Sequence, residues 1–320
     1  MSRFGKRGKT EKQGGPDRLR PRGRQKYNDL LRPEVVNTVA GLSLIARIAV
    51  EGYTSGLNRS LSIGHGLEFS QYRGYEPGDD LRLLDWKMLA RSGRYYIKQS
   101  EIESLVGVKF IVDASATMLH REDGLSKLEY ARLLVAALAY LAWKQGDAVG
   151  LFALNESDVV SLFSGTDKKH YNRLLLELLK VDGSGKWPDP SRASRMIPDR
   201  GSRELVFFLT DMYEREAELS GFLREIKSPR NEVVVLHIAG RSELEFDYGK
   251  QVTFEDLETG AKVKVDARKA RSAYLEQMEE RLDAIRQQLL SQGIFYHLFR
   301  MDEPLGEALQ YYLKQRNRMN

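Results

Sequence analysis

Apolar and polar positions along this chain follow two different periods, and each change of period marks an element. Between residues 32 and 51, Val35, Val36, Val39, Leu42, Ile45, Ala46 and Ala49 recur at spacings of three and four behind Pro33, which predicts a helix. From Gly107 a strand–helix alternation begins. VKFIVD (108–113) is a near-continuous apolar run, as a strand covered on both faces requires. Ser126-Lys127-Leu128-Glu129 reads as a capping box opening a helix to about residue 144. AVGLFAL (148–154) and DVVSLF (158–163) flank Asn155-Glu156-Ser157 and predict an antiparallel hairpin at a sheet edge. Leu174, Leu175, Leu178 and Leu179 predict a helix over 167–180, followed by a Gly/Ser/Pro-rich loop to about residue 194. ELVFFLT (204–210), a helix over 215–227 stopped by Pro229, and EVVVLHIA (232–239) continue the alternation. VTFEDLETGAKVKVD (252–266) breaks it as strand, turn and strand. A helix is expected over 267–292 between a cap at Asp266 and Gly293, then a strand over 294–299 and a last helix with Pro304 in its first turn.

The alternation from 107 to 315 predicts an α/β fold: a doubly wound, mostly parallel sheet of Rossmann type with helices on both faces and one inserted β-hairpin. Residues 27–106 are expected to supply an N-terminal helix and a β-rich subregion docked on that domain. In the subregion, Phe69, Tyr72 and Tyr75 are strand-like, and Glu76-Pro77-Gly78-Asp79 suits a type II turn because Gly accepts the positive φ it needs. Arg73, Asp79, Asp80, Arg82 and Asp85 then crowd around Trp86, either as an ion-pair network fixing the subregion or as a partner surface.

Charge changes the picture once it is located. Residues 1–26 hold ten Lys/Arg against Glu11 and Asp17, a net of +8, while the whole chain is +5, so residues 27–320 sum to −3. This leader has only Phe4 and Leu19 as large apolar residues and is expected to be a disordered basic tail. No aromatic side chains are interleaved with its charges to stack on bases, so nucleic acid is not expected as a partner. Cysteine is absent, which excludes disulfides and thiolate metal sites and suits a reducing compartment. The leader lacks the apolar stretch of a secretory signal, and Leu133 to Trp143 is too short to span a bilayer, so a cytoplasmic protein without membrane contact is expected.

The candidate chemistry lies in FIVDASATM (110–118). Asp113, Ser115 and Thr117 alternate with two alanines where the buried strand should end, and Asp211 follows a second apolar strand in the same way. In an open α/β sheet, function gathers outside the carboxyl ends of strands, where strand order reverses. If the two strands are neighbours, both carboxylates meet there. Asp, Ser, Thr and Asp are hard oxygen donors, suited to one Mg²⁺, Mn²⁺ or Ca²⁺ ion. A simple capping role for Asp113 is the plainer alternative. Enzymatic readings fare worse. An aspartyl phosphatase of the haloacid-dehalogenase type needs an acid two residues after its nucleophile, and Ser115 stands there. The five histidines are scattered, and neither a G-x-S-x-G elbow nor a phosphate-binding glycine loop is present.

D-A-S-A-T at 113–117 with T-D at 210–211 resembles the metal-ion-dependent adhesion site of von Willebrand factor A-like domains, with Thr117 where a serine is usual. GLEFSQYRGYEPGDDLRLLDWKMLARSGRYYIKQSE, FEDLETGAKVKVD and RMDEPLGEALQYYL further resemble the bacterial domain of unknown function 58 family, over roughly residues 27–315. The resemblance implies a non-catalytic protein-binding module, associated with a MoxR-type AAA+ ATPase or its client and serving assembly or activation of other complexes. It also implies a partner that supplies an Asp or Glu to the metal. A further hydroxyl, usually Thr, is implied before the fourth strand; DGSGKWPDPS has none, which leaves Ser184, with Ser191 behind it. The metal set expected is therefore Asp113, Ser115, Thr117, Ser184 and Asp211. The alternative is a metal-independent scaffold that binds partners through the surface of residues 59–100.

Overall fold

The computed structural model describes residues 31–57, 69–76, 84–100, 106–197, 203–214 and 217–319. Six strands form the central sheet: β1 (Gly107–Asp113), β2 (Ala148–Leu154), β3 (Val159–Gly165), β4 (Glu204–Thr210), β5 (Asn231–Ala239) and β6 (Phe295–Arg300), in the order β6-β5-β4-β1-β2-β3. All neighbours pair in parallel except the edge strand β3, which returns antiparallel to β2. This is the doubly wound order, in which the chain leaves β1 toward one side and resumes at β4 on the other. The expected α/β class is the observed one, a doubly wound, mostly parallel sheet with an antiparallel edge strand.

Strand periodicity divides the core between the two faces of the sheet. Phe110 and Val112 point to one face, where they share a core with Leu209, Val234 and Phe299. Covering it are α2 (Lys127–Lys144), α3 (Lys168–Lys180) and α7 (Leu305–Met319), together with α1 (Val39–Leu57). Ile111 points the other way, with Phe152, Phe208 and Val235, against α4 (Pro190–Met196), α5 (Glu218–Ile226) and the end of α6 (Ala267–Ser291). Phe110 and Phe207 stack at 5.4 Å, and Phe208 meets Phe222 edge-on at 5.4 Å. Each such ring removes enough apolar surface from water to contribute about 1.5–3 kcal/mol. These two layers hold β1 and β4 rigidly side by side, with Val112 opposite Leu209. The carboxyl ends of the two strands, and the aspartates that follow, are thereby fixed in register.

The N-terminal helix is interrupted where continuity was expected. A short helical turn at Pro33–Val36 ends at Asn37, and Thr38 restarts the chain by accepting the Gly41 amide on its Oγ1. Val36, Leu42, Ile45 and Ala46 then join the main core rather than a separate one. Asp189-Pro190 opens α4 inside the stretch expected to be loop to residue 194. Asp189 accepts the Arg192 amide and Pro190 takes the first turn, a signal that the surrounding Gly and Ser obscured. The helix expected over 215–227 spans Glu218–Ile226. Pro304 precedes α7, accepting its first amides, instead of lying in its first turn.

Of the 59–100 region, strands Phe69–Gly74 and Tyr96–Ser100 pair antiparallel, and Asp85 caps the helix Trp86–Ser92 by accepting the amides of Lys87 and Met88. The type II turn and the Asp79, Asp80 and Arg82 charges lie outside the described residues, as does the tail. The inserted hairpin, Gln251–Glu255 with Lys262–Asp266, forms its own two-stranded sheet. Phe254 carries it onto an aromatic cluster with Phe246 and Tyr248, and Phe246 in turn lies tilted against Tyr274 of α6. Among the described residues no helix is long and apolar enough to cross a membrane.

Candidate metal centre

Asp113 ends β1 almost fully buried, at 1% exposure. Its carboxylate is held at both oxygens: the Ser115 amide donates to Oδ1 at 2.9 Å and the Thr210 hydroxyl to Oδ2 at 2.7 Å. The Ser115 contact reverses the chain immediately, and residues 116–119 wind into a single 3₁₀ turn. That turn buries Ala116 and Met118 and brings the Thr117 hydroxyl to 3.0 Å from that of Ser115. Thr117 Oγ1 donates on to Asp211 Oδ1 at 3.3 Å. Ser115, Thr117 and Asp211 form one hydrogen-bonded chain, and Asp113 lies on the neighbouring strand end.

The two carboxylates have different electrostatic company. Burial pushes the Asp113 carboxyl up to about 7 from its ordinary 3.8, and the nearby Asp211 charge adds to the rise, against the opposing hydrogen bonds. Burial alone would push Asp211 up too, but the Lys127 ammonium, 2.9 Å from Oδ2, holds it below the ordinary carboxylate range. Lys127 is itself only 4% exposed in its side chain and bonds Glu243 Oε1 at 2.7 Å. Burial disfavours that ammonium, yet the two carboxylates outweigh it and raise its pKa. The Tyr213 amide also reaches Asp211 Oδ1, and Met212 between them adopts φ 52°. That left-handed conformation is uncommon for a non-glycine residue. The Thr210 hydroxyl, accepting the Met212 amide at 3.0 Å, and Arg281, donating to the Met212 carbonyl at 2.9 Å, hold it in place.

The loop carrying Ser184 is brought to the site by backbone. The Ser184 amide donates to the Ala114 carbonyl and the Ala116 amide to the Gly185 carbonyl, both at 2.9 Å, with Gly185 at φ 57°. The Ser184 hydroxyl accepts from Asn155 Nδ2 at 3.1 Å, so it stands at the rim, exposed, rather than in the Ser115–Thr117–Asp211 chain. Ser191 is elsewhere: it lies on α4 and donates to Glu225 at 3.0 Å.

Three participants escaped the reading of the sequence. Thr210 was seen only as the neighbour of Asp211. Asn155, expected simply to turn the β2–β3 hairpin, is buried and ties that turn to the Ser184 loop. Lys127 was read as one position of a capping box, which is present as expected between Ser126 and Glu129. A signal for it did exist. The first turn of a helix carries partial positive charge and favours acids, so a lysine there needs an anionic partner.

Two carboxylates and two hydroxyls, none of them softer than oxygen, fit a hard divalent cation. The unbalanced charge at Asp113 fits it as well, because a buried carboxylate without a cation is costly. Among the described residues no three His, Cys, Asp or Glu side chains gather as a metal group, so a cation here would depend on the hydroxyls. His237 is buried, held down to about 3 chiefly by that burial, and bonded to the Tyr296 hydroxyl at 2.8 Å.

Residues 71–283 match the family described as "Protein of unknown function DUF58". The chain belongs to this family. Uncharacterized protein Rv1480 of Mycobacterium tuberculosis is 25% identical to it over 147 residues, 46% of this chain and 46% of that protein. The chain thus aligns with under half the length of that relative. Among solved structures it is similar to the conserved hypothetical protein BatB from Bacteroides thetaiotaomicron, at 15% identity and TM-score 0.43, over 67% of this chain and 99% of that one. The VWA domain of SpRpn10 is similar at 10% identity and TM-score 0.35, over 64% and 94% of the two chains. The fold class of this DUF58 chain rests on its strand order.

Proposed function

We propose that this DUF58 protein is a non-catalytic binding module whose contact with a protein partner runs through one Mg²⁺ or Mn²⁺ ion at the β1/β4 strand ends. Asp113, Ser115 and Thr117 would hold the ion, with Asp211 directly or through water and Ser184 from the rim. The observation that carries this reading is the convergence of four oxygen-bearing side chains on one strand junction around a buried carboxylate with no cation of its own. A divalent ion bound there supplies a positive charge with a coordination position left for an acidic side chain. The chain's own residues do the rest. The Ser115 amide and Thr210 hydroxyl orient Asp113, the Tyr213 amide orients Asp211, and the Ala114–Ser184 and Ala116–Gly185 hydrogen bonds fix the rim. Segments 114–125, 182–189 and 212–214 would set which partner fits.

The partner class is a MoxR-type AAA+ ATPase or its client, supported by the family resemblance and by a site built to accept a carboxylate. The reading is tested by calorimetry with Mg²⁺ and Mn²⁺ and by partner capture with and without chelator. Wild type should bind the ion, Asp113→Ala should not, and capture should require both the ion and Asp113. Capture that is equal in chelator and with Asp113→Ala would move the contact to the 59–100 surface and leave a metal-independent scaffold.

A further inference from the structure

Lys127 places a fixed positive charge where a divalent ion would look for its second carboxylate. Its ammonium occupies Asp211 Oδ2 at 2.9 Å, leaving Oδ1, which already accepts from Thr117 and Tyr213, as the oxygen toward the site. The lysine cannot swing away easily. It is buried, at the first turn of α2, and its second anion, Glu243, is built in: Glu243 Oε2 accepts the Gly240 amide at 2.8 Å. The segment around Glu243 is braced in turn against the site's first loop. Glu122 accepts the Ser242 amide and hydroxyl at 3.2 and 3.0 Å, and the Asp123-Gly124 turn beside it uses two positive φ angles, the hairpin turn these residues favour. This brace fixes Lys127, and Lys127 fixes Asp211.

We infer that Lys127 is a resident cation that weakens divalent-ion binding at this site, with Glu243 setting how strongly it does so. This rests on the metal-binding reading above. A like charge close to a bound cation repels it, and the repulsion is large where water is excluded. Neutralising one of two carboxylates also removes part of the attraction. The consequence is conditional adhesion. An ion held weakly by the free protein is held firmly once a partner carboxylate adds its charge, so ion and partner bind with positive coupling.

The two residues give the inference opposite signs, which a merely structural role would not. Lys127→Met removes the competing cation, and Mn²⁺ affinity should rise on the order of tenfold or more. Glu243→Gln leaves the lysine with one anion fewer around it, and affinity should fall several-fold. Mn²⁺ titration of the full chain, followed by the electron paramagnetic resonance signal of free Mn²⁺, reads both, with Asp113→Asn as the blank. Equal or weaker binding by Lys127→Met overturns the inference. If Lys127→Met does not fold, Glu243→Gln decides alone: unchanged or tighter binding overturns it. No Mn²⁺ binding above the Asp113→Asn blank in either wild type or Lys127→Met overturns the metal reading itself. Binding by Lys127→Met alone supports the inference and overturns ion binding by the free wild-type chain.

Discussion

β1 and β4 carry a buried charged pair at their amino ends and a different charged group at their carboxyl ends, and the contrast separates support from function. At the amino ends Lys109 and Glu204 meet at 2.6 Å, with side chains 3% and 5% exposed. The two opposite charges meet directly across the neighbouring strands. At the carboxyl ends Lys127 bridges Asp211 and Glu243, and its ammonium does not reach Asp113. Both ends are buried in the same two strands, so burial alone does not distinguish them. The surplus of negative charge does. Glu204 has its lysine within the protein, whereas Asp113 has no ion-pair partner among the described residues.

The largest effect expected from this contrast is at the amino end. Lys109→Met leaves Glu204 buried without its lysine and should cost about 3–5 kcal/mol of stability, read by urea denaturation. Mn²⁺ affinity should stay within about twofold of wild type, because the charge removed lies at the far end of the strand. A change in affinity larger than tenfold would merge the two ends into one electrostatic unit and dissolve the comparison.

The carboxyl end should respond with the opposite sign. Asp113→Asn removes a buried charge that the metal-free protein holds at a cost, so at pH 8 in chelator it should gain about 2–4 kcal/mol over wild type. The same variant should lose Mn²⁺ binding. A loss of stability comparable to Lys109→Met would mean that Asp113 is a structural anion like Glu204.

Acidity sharpens the comparison further, through two groups that offset each other. The Asp113 carboxyl, raised from 3.8 to about 7, takes a proton in the fold before it does in the unfolded chain. Its contribution to stability therefore improves as pH falls from 7 toward 4. His237, held down from 6.5 to about 3, stays neutral in the fold while the unfolded chain protonates, so its contribution is lost as pH falls below 6.5. Each slope approaches about 1.4 kcal/mol per pH unit, and in the metal-free wild type they should nearly cancel between pH 4 and 6.5. Asp113→Asn should expose the falling limb and His237→Gln the rising one, as melting temperatures across that window. A steep wild-type profile there would show that one of the two groups is not held as the structure places it.

Most of the fold was legible because it depends on periodicity. VKFIVD and ELVFFLT read as covered strands from their apolar runs, whereas the adjacency of β1 and β4, only a condition in the sequence, is supplied by the sheet. The core of the site was legible for the same reason: Asp113, Ser115, Thr117 and Asp211 sit at strand ends in a spacing that forces convergence. What stayed hidden was long-range and polar. Lys127 and Glu243 are separated by 116 positions and meet only because α2 and the residues after β5 end at the same rim. Asn155 reaches Ser184 over 29 positions by a side-chain bond that no local pattern announces. The break at Asn37 was missed for a different cause. Apolar spacing runs through it unbroken, and only the Thr38 side chain, competing for backbone groups, divides the helix.

The site's two carboxylates close adjacent strands in the middle of the sheet, and this has a mechanical consequence. A load applied at the rim by a moving partner would pass into Asp113 and Asp211 and then run lengthwise along β1 and β4. Each strand is flanked on both sides by parallel neighbours, β2 and β5 on the outside and each other within. Such a pull shears whole rows of interstrand hydrogen bonds together instead of unzipping them singly. The anchorage is therefore stiffest along the strand direction.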